Sequence, residues 1–360
     1  MDKVRIGIIG AGFIGRVHAE SFSKVQDAQI VGITDASRPL ADRAAVQFGI
    51  PRVFDTAEQM IDGDEVDAII VGVPNAFHRP LAVRALNHGK NVLLEKPMAI
   101  TGADARAIVE AANGSKKTLM IAHQMRWEQL SMQAHTIAAS KELGTIYNAK
   151  SGMMRRKGIP GWGSWFTRKS ESGGGPLIDI GVHVLDLTLW IMGNPRPVSV
   201  FGSTYAQFGP QRKGLGTWGT PQWDGRFDVE DLATALIKFD NGATLHLEVS
   251  WAVNTDSDSG HYIHIMGNEG GVSLYPKRMV LTGQKFDRAF DVPVAAPESA
   301  ENPRVLLSRH FAECVKTGMK PISDGVSGLV NSTILDAIYQ SAQSGDLVKL
   351  DWSFLDRIAT

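Results

Sequence analysis

The strongest constraint on this chain is an apolar run that ends in glycines. Val4-Arg5-Ile6-Gly7-Ile8-Ile9 leads directly into Gly10-Ala11-Gly12-Phe13-Ile14-Gly15, and a helix-like segment carrying Val17, Ala19 and Phe22 follows. Such a run reads as a buried parallel strand. The G-x-G-x-x-G spacing after it suits a diphosphate. The first glycine permits the tight turn, the second admits phosphate to the backbone, and the third lets helix pack close on strand. The anion then rests on the positive end of the helix. Glycine-rich turns are common, so context has to decide.

The context agrees. Gln29 to Thr34 reads as a second strand ending at Asp35, twenty positions after Gly15. A carboxylate there binds ribose hydroxyls; the plainer reading is a helix cap or turn residue. An acid at this place repels a 2′-phosphate and favours NAD over NADP. Ser37 and Arg38 follow it and are able to contact such a phosphate, so NADP stays open. Strands and helices then alternate: Ala68–Val73, a helix from Pro80 to His88, Asn91–Leu94, a helix from about Ala103 to Ala112, and Thr118–Ala122. This pattern implies a parallel sheet with ligands at the carboxyl ends of its strands. Val73, Pro74, Asn75, His78, Glu95 and Lys96 fall at such ends and join Phe13, Ile14 and the glycines as candidate cofactor contacts. Lys96 is ordinarily read as a solvated cation. Set between a buried strand end and Pro97, its ammonium is also suited to bonding a substrate hydroxyl and stabilising alkoxide charge.

Further on, Gly173-Gly174-Gly175-Pro176 reads as a loop that runs into a helix. Asp179, His183 and Asp186 fall on one face of that helix, while Leu187, Leu189, Trp190 and Ile191 make it apolar and buried. An imidazole oriented by a carboxylate suits removal of a proton from an alcohol. An Asp/His pair at this spacing also occurs as a structural hydrogen bond or in a metal site.

Length suggests two domains and ample core for 360 residues. Formal net charge is −1 with no block of like charge, which argues against nucleic acid and anionic membrane as partners. Cys314 is the only cysteine. With an opening that shows no charged leader, and no uncharged apolar stretch long enough to span a bilayer, it leads to the expectation of a cytoplasmic protein.

Together these motifs resemble the glucose–fructose oxidoreductase / inositol dehydrogenase / rhizopine-catabolism (Gfo/Idh/MocA) family over nearly the whole chain. The resemblance rests on the Gly10–Gly15 fingerprint, Pro74-Asn75-x-x-His78, Glu95-Lys96-Pro97, and the stretch from Gly173 to Asp186. It implies a Rossmann domain (1–123) followed by an α/β substrate and oligomerisation domain (124–360) with a large, mostly antiparallel open sheet. It further implies nicotinamide-dependent oxidation or reduction of a sugar, polyol or related hydroxy compound, without a metal. Lys96, Asp179 and His183 become the catalytic trio, with His183 as proton acceptor. Many members carry Gly-x-Asn-x-Arg after the last Rossmann strand. Here Ala122-His123-Gln124-Met125-Arg126 keeps the arginine and offers Gln124 for the amide, a further cofactor contact; His123 reads as structural.

In the second domain, Arg156 to Ser172 reads as a long loop whose aromatic residues either stack on a sugar or anchor the loop in a core. For the family this loop borders substrate, which favours Arg155 and Trp165 as substrate contacts. Thr244 to Trp251 alternates fully, with Leu245, Leu247, Val249 and Trp251 on one face. The other face is solvated or buried against another subunit; the family resemblance implies a dimer or tetramer through it, and His246, His261 and His264 are read as interface or surface residues. The excursion from Phe208 to Phe227 reaches either an active site or a neighbouring chain. Two alternatives to a dehydrogenase stand: a glycosidase or epimerase with an internal redox cycle, and a non-catalytic dinucleotide-binding regulator.

Overall fold

A computed structural model of the chain describes residues 3–256, 260–296 and 301–355. It comprises two compact units, Met1–Trp127 with Glu301–Val330, and Glu128–Ala300 with Asn331–Thr360. The single boundary expected after residue 123 omits that returning segment. The segment belongs to the first unit because the helix Pro303–Thr317 lays Leu307, Phe311 and Ala312 into the core that holds Ile6, Ile8, Ala19 and Phe22. The rings of Phe22 and Phe311 meet edge to face with centroids 6.3 Å apart.

In the first unit, β1 (Val4–Ile9), β2 (Ala28–Thr34), β3 (Arg52–Val53), β4 (Ala68–Val71), β5 (Asn91–Leu94) and β6 (Leu119–Ile121) form a parallel sheet in the order β3-β2-β1-β4-β5-β6. Every residue of β4 is buried, as a strand covered on both faces requires. The connecting helices are α1 (Phe13–Phe22), α2 (Arg38–Phe48), α3 (Ala57–Asp62), α4 (His78–Asn87) and α5 (Gly102–Ser115). Thr56 and Thr101 cap α3 and α5 by accepting from the amides of Gln59 and Asp104. The strand order reverses between β1 and β4, which places a ligand crevice at their carboxyl ends.

The second unit contains α6 (Gln129–Ala139), β7 (Ile146–Met154), α7 (Lys169–Ser172), α8 (Val182–Ile191) and then β8 (Pro197–Tyr205), β9 (Leu232–Phe239), β10 (Thr244–Ser250), β11 (His261–Gly267), β12 (Gly270–Tyr275), β13 (Arg278–Lys285), β14 (Arg288–Ala295) and β15 (Val348–Lys349). These nine strands run in the order β14-β13-β12-β11-β7-β10-β9-β8-β15. Within this sheet, among the described residues, only β7 and β10 pair in parallel. Leu245, Leu247 and Val249 are buried on the packed face, as their alternation predicts.

Across the open face Phe201, Leu236, His246, Lys150 and His264 stand side by side on adjacent strands. They line a hollow of about 740 Å³ with Glu248 and Tyr262, whose hydroxyl donates to Glu248 at 2.6 Å. His261 departs from the expected surface or interface position. It shares the packed face with the buried Ile263 and Ile265, and burial pushes its pKa down to about 4. The stretch Lys169–Ile191 is long and apolar enough to cross a membrane by length and composition, but it carries Asp179 and Asp186, and 89% of its apolar 18-residue segment is buried inside the protein, the condition of a core helix.

Candidate active site

The first unit holds the glycine turn in the form the motif predicts. Gly10 has φ +104°, and a methyl group added there would lie 2.2 Å from the Gly72 carbonyl oxygen. A methyl on Gly15 would lie 1.8 Å from the Gly10 carbonyl oxygen, so α1 packs against the turn only because that position is bare. At Gly12 nothing stands within 4 Å of the same point. The backbone there is open to an incoming phosphate at the N-terminus of α1, beside the exposed Phe13 and half-buried Ile14. These residues therefore fit a dinucleotide.

Asp35 closes the turn. Its Oδ2 accepts from the Ala11 amide and its Oδ1 from the Ser37 amide, each at 2.7 Å. The cap-like and ligand-binding readings are thus compatible, because each carboxylate oxygen keeps a second lone pair. Arg38 bonds Asp42 at 2.7 Å and Asp55 at 2.5 Å. The hydrogen bond that Arg38 donates to Asp42, then the charge of Asp42, holds the guanidinium firmly protonated.

At the end of β5 the chain is nearly all buried, and Lys96 is the exception. It alone keeps partial access among residues 92–99, next to a cis peptide with Pro97. Two buried residues fix its surroundings. Glu95 Oε1 lies 2.8 Å from His18 Nε2 on α1, and Glu95 Oε2 accepts from the Lys96 amide at 3.1 Å. Burial pushes the Glu95 carboxyl up, but the bond and charge of His18 and the charge of Lys96 outweigh it and bring it below its ordinary value. His78 is fully buried, with its ring nitrogens 2.8 Å from the Pro97 carbonyl oxygen and 2.9 Å from that of Val73. Burial, foremost, lowers its pKa. His78 therefore ties the Val73–Pro74 turn to the Lys96–Pro97 turn. Asn75 is buried and opens a 3₁₀ turn, Asn75–Phe77. Gln124 is half-buried at the start of another, Gln124–Trp127, where Arg126 donates to the Ile322 carbonyl at 2.5 Å and His123 is buried.

The second unit holds the Asp179–His183 stretch. Its first turn, Leu177–Gly181, is a π-helix that passes into α8. Single π-turns of this kind occur frequently at functional sites. Among residues 174–192 only Asp179 and His183 keep partial solvent access. Asp186, expected on the same face, is buried and accepts from Asn331 at 2.8 Å. The one-face pattern therefore divides into an accessible pair and a structural acid. Asp179 Oδ2 accepts from the indole Nε1 of the fully buried Trp251 at 3.0 Å.

The loop and the excursion that sequence could not place pack on each other. Ile159 bridges to Leu215, and Trp162 donates to the Gly209 carbonyl at 2.8 Å while its ring stacks on Trp223 at 5.7 Å. Trp165 contacts Phe166 at 3.8 Å, and Phe166 meets Trp218 at 4.8 Å. Arg155, half-buried, leads into this loop. Its amide donates to Ser250 just before Trp251. Sequence reasoning missed His18, Trp251, Glu230 and Tyr339. Adjacent acids Glu230-Asp231 before a strand were a visible signal; the others have none short of the folded chain.

A dinucleotide turn on a parallel sheet and an acid–imidazole pair on a second α/β unit define a dinucleotide-dependent oxidoreductase. Residues 4–123 match the model of an oxidoreductase family with an NAD-binding Rossmann fold, and residues 131–273 match the GFO/IDH/MocA C-terminal domain. The chain is 33% identical over 352 residues to D-glucoside 3-dehydrogenase of Escherichia coli (strain K12), covering 97% of this chain and 98% of that protein. It is 26% identical to scyllo-inositol 2-dehydrogenase (NAD(+)) of Bacillus subtilis (strain 168), over 97% of each. The fold superposes on levoglucosan dehydrogenase in complex with NADH and levoglucosan with a TM-score of 0.85, at 22% identity, covering 97% of this chain and 99% of that one. The chain belongs to the GFO/IDH/MocA oxidoreductase family.

Proposed function

We propose that this oxidoreductase interconverts an alcohol and a carbonyl on a sugar, glycoside or polyol, with His183 as the acid–base group. The observation that carries this reading is the selective exposure along residues 174–192. A buried apolar helix leaves Asp179 and His183 open to solvent and covers every neighbour. Leaving a titratable pair accessible there gives no packing advantage, whereas proton exchange with a substrate requires it.

In oxidation, His183 takes the hydroxyl proton. Asp179, held by Trp251, orients the imidazole and favours its protonated form. Lys96 hydrogen-bonds the reacting oxygen as negative charge develops, with its backbone fixed by Glu95. The Gly10–Gly15 turn and Asp35 would hold a nicotinamide dinucleotide, NAD or NADP, which would supply the hydride acceptor. Asp35 at the end of β2 favours NAD. The names of the relatives support a carbohydrate substrate. The open face of the nine-stranded sheet, with apolar Phe201 and Leu236 beside its polar centre, supports a dimer or tetramer assembled through it.

The test is a spectrophotometric screen at the reduced-nicotinamide band, with NAD and NADP separately, against glycosides, aldoses, inositols, anhydrosugars and keto-sugars. Turnover with one of these is expected. On that substrate, His183→Ala is expected to lower kcat about 10²–10⁴-fold with NADH binding retained. A wild-type rate in that variant refutes the acid–base role.

A further inference from the structure

Four small or rigid residues, Gly173-Gly174-Gly175-Pro176, precede the π-turn, and diphosphate binding does not explain them. Their surroundings do. The Glu230 carboxylate, 7% exposed, accepts from the Gly175 amide through Oε2 at 2.9 Å and from the Leu177 amide through Oε1 at 3.0 Å. Pro176 between them has no amide hydrogen, so the two flanking donors converge on one carboxylate. The Tyr339 hydroxyl donates to Oε1 at 2.9 Å. A methyl on Gly174 would stand 1.9 Å from that hydroxyl, and one on Gly175 would stand 2.0 Å from the Glu230 carbonyl oxygen. The glycines are bare because this acid and phenol occupy the space.

A buried carboxylate is costly unless several donors satisfy it, and three do so here. All of that cost falls on one place, the entry to the turn that bears Asp179 and His183. The first turn of a helix has amides without internal partners, and an anion there also meets the positive end of the helix dipole. The Asp179 amide bonds back to the Gly175 carbonyl at 3.0 Å, so Asp179 is hung on the peptide that lies between the two peptides held by Glu230.

The neighbouring acid faces the other way along the chain. Asp231 accepts from the amides of Phe208 and Gly209 at 2.6 and 2.9 Å, and its carbonyl accepts from the Trp251 amide at 2.9 Å. Trp251 in turn holds Asp179. Asp179 is thus gripped through its backbone from Glu230 and through its side chain from Asp231 by way of Trp251.

We infer that Glu230 is a positioning residue for proton transfer, setting the π-turn so that Asp179 and His183 stand in reacting register. The inference rests on the acid–base reading of that pair. It adds that the pair's geometry is imposed by a buried carboxylate that never touches substrate. Burial, foremost, pushes Glu230 above its ordinary range against the pull of its amide donors, and pushes Tyr339 well up.

The test is Glu230→Gln in the full-length protein with ¹³C-labelled histidine, the His183 resonance being assigned by its loss in His183→Asn. An amide keeps the shape but turns a donor toward one of the two backbone N–H groups. The expected result is a displaced His183 signal whose titration midpoint moves by about half a pH unit or more, with the His18 and His78 signals unmoved. On the substrate found by the screen, kcat is expected to fall roughly 10–100-fold with KM for the dinucleotide within about twofold, the pattern of misplacement rather than lost binding. An unmoved His183 signal with a wild-type kcat overturns the inference. If Glu230→Gln does not fold, Tyr339→Phe removes one bond of the three and is read by the same two measures in smaller degree. The resonance needs no substrate. A wild-type rate in His183→Ala would therefore sink the acid–base reading while the effect of Glu230 on the turn remained measurable.

Discussion

Trp251 shows how a single residue carries the site. Its indole is fully buried, so the Nε1 hydrogen must find an acceptor, and it finds Asp179. Trp251→Phe keeps most of the ring volume and removes that donor. Hydrogen bonds to charged groups are worth about 1.5–3 kcal/mol, so a stability loss of about that size is expected in urea unfolding. A fall in kcat of roughly tenfold, larger than any change in dinucleotide affinity, is expected with it. Full activity with the same stability loss would reduce Trp251 to a core residue. Lys96 follows the same logic from the other unit: the buried Glu95 and His18 around it are matched to each other, leaving the lysine accessible.

Among the elements, the nine-stranded sheet has the sharpest contrast between its faces. Leu245, Leu247 and Val249 vanish into the packed side, while Phe201 and Leu236, paired across β8 and β9, are 47% and 41% exposed. Contiguous exposed apolar groups rimmed by polar ones mark interaction surfaces. The double variant Phe201→Asp with Leu236→Asp places two like charges on that row. Light scattering behind size exclusion is expected to show the wild type as a dimer or tetramer and the variant as a smaller species. An unchanged mass would place the assembly surface elsewhere. The π-turn makes the opposite point about elements. Its amphipathic pattern was readable as a helix over Asp179 and His183. The wider turn and the separate burial of Asp186 were not, because both depend on Glu230 and Asn331 from distant parts of the chain.

For the molecule as a whole, burial sets a pH window. Glu128 is pushed up to about 7 by burial. Between pH 4.5 and 7 the unfolded chain releases this proton while the folded chain keeps it. The unfolded state then binds fewer protons, and stability falls as pH rises through that window. Glu128→Gln removes the loss. Unfolding free energies from urea titration are expected to coincide near pH 4 and to favour the variant by about 1–3 kcal/mol at pH 8. Parallel curves for the two proteins would refute this. His261 acts on the acid side. Held neutral down to about pH 4, it leaves the unfolded chain to take up a proton first, so stability falls as pH drops below the ordinary histidine range.

Local order determined what the sequence alone could state. Apolar runs, glycine spacing and alternation are short-range facts of sterics and burial. They specified the parallel sheet, the dinucleotide turn, and Lys96, Asp179 and His183 as the residues to watch. Tertiary structure decided how those residues are held. Glu230 lies 53 positions from Leu177 and Trp251 lies 72 from Asp179, separations at which no periodicity survives. It also decided that the excursion from Phe208 to Phe227 folds onto the loop of Trp162 and Trp165. Such pairings follow from which buried donors need acceptors once the chain is folded, and that demand is not written at any one place in the sequence.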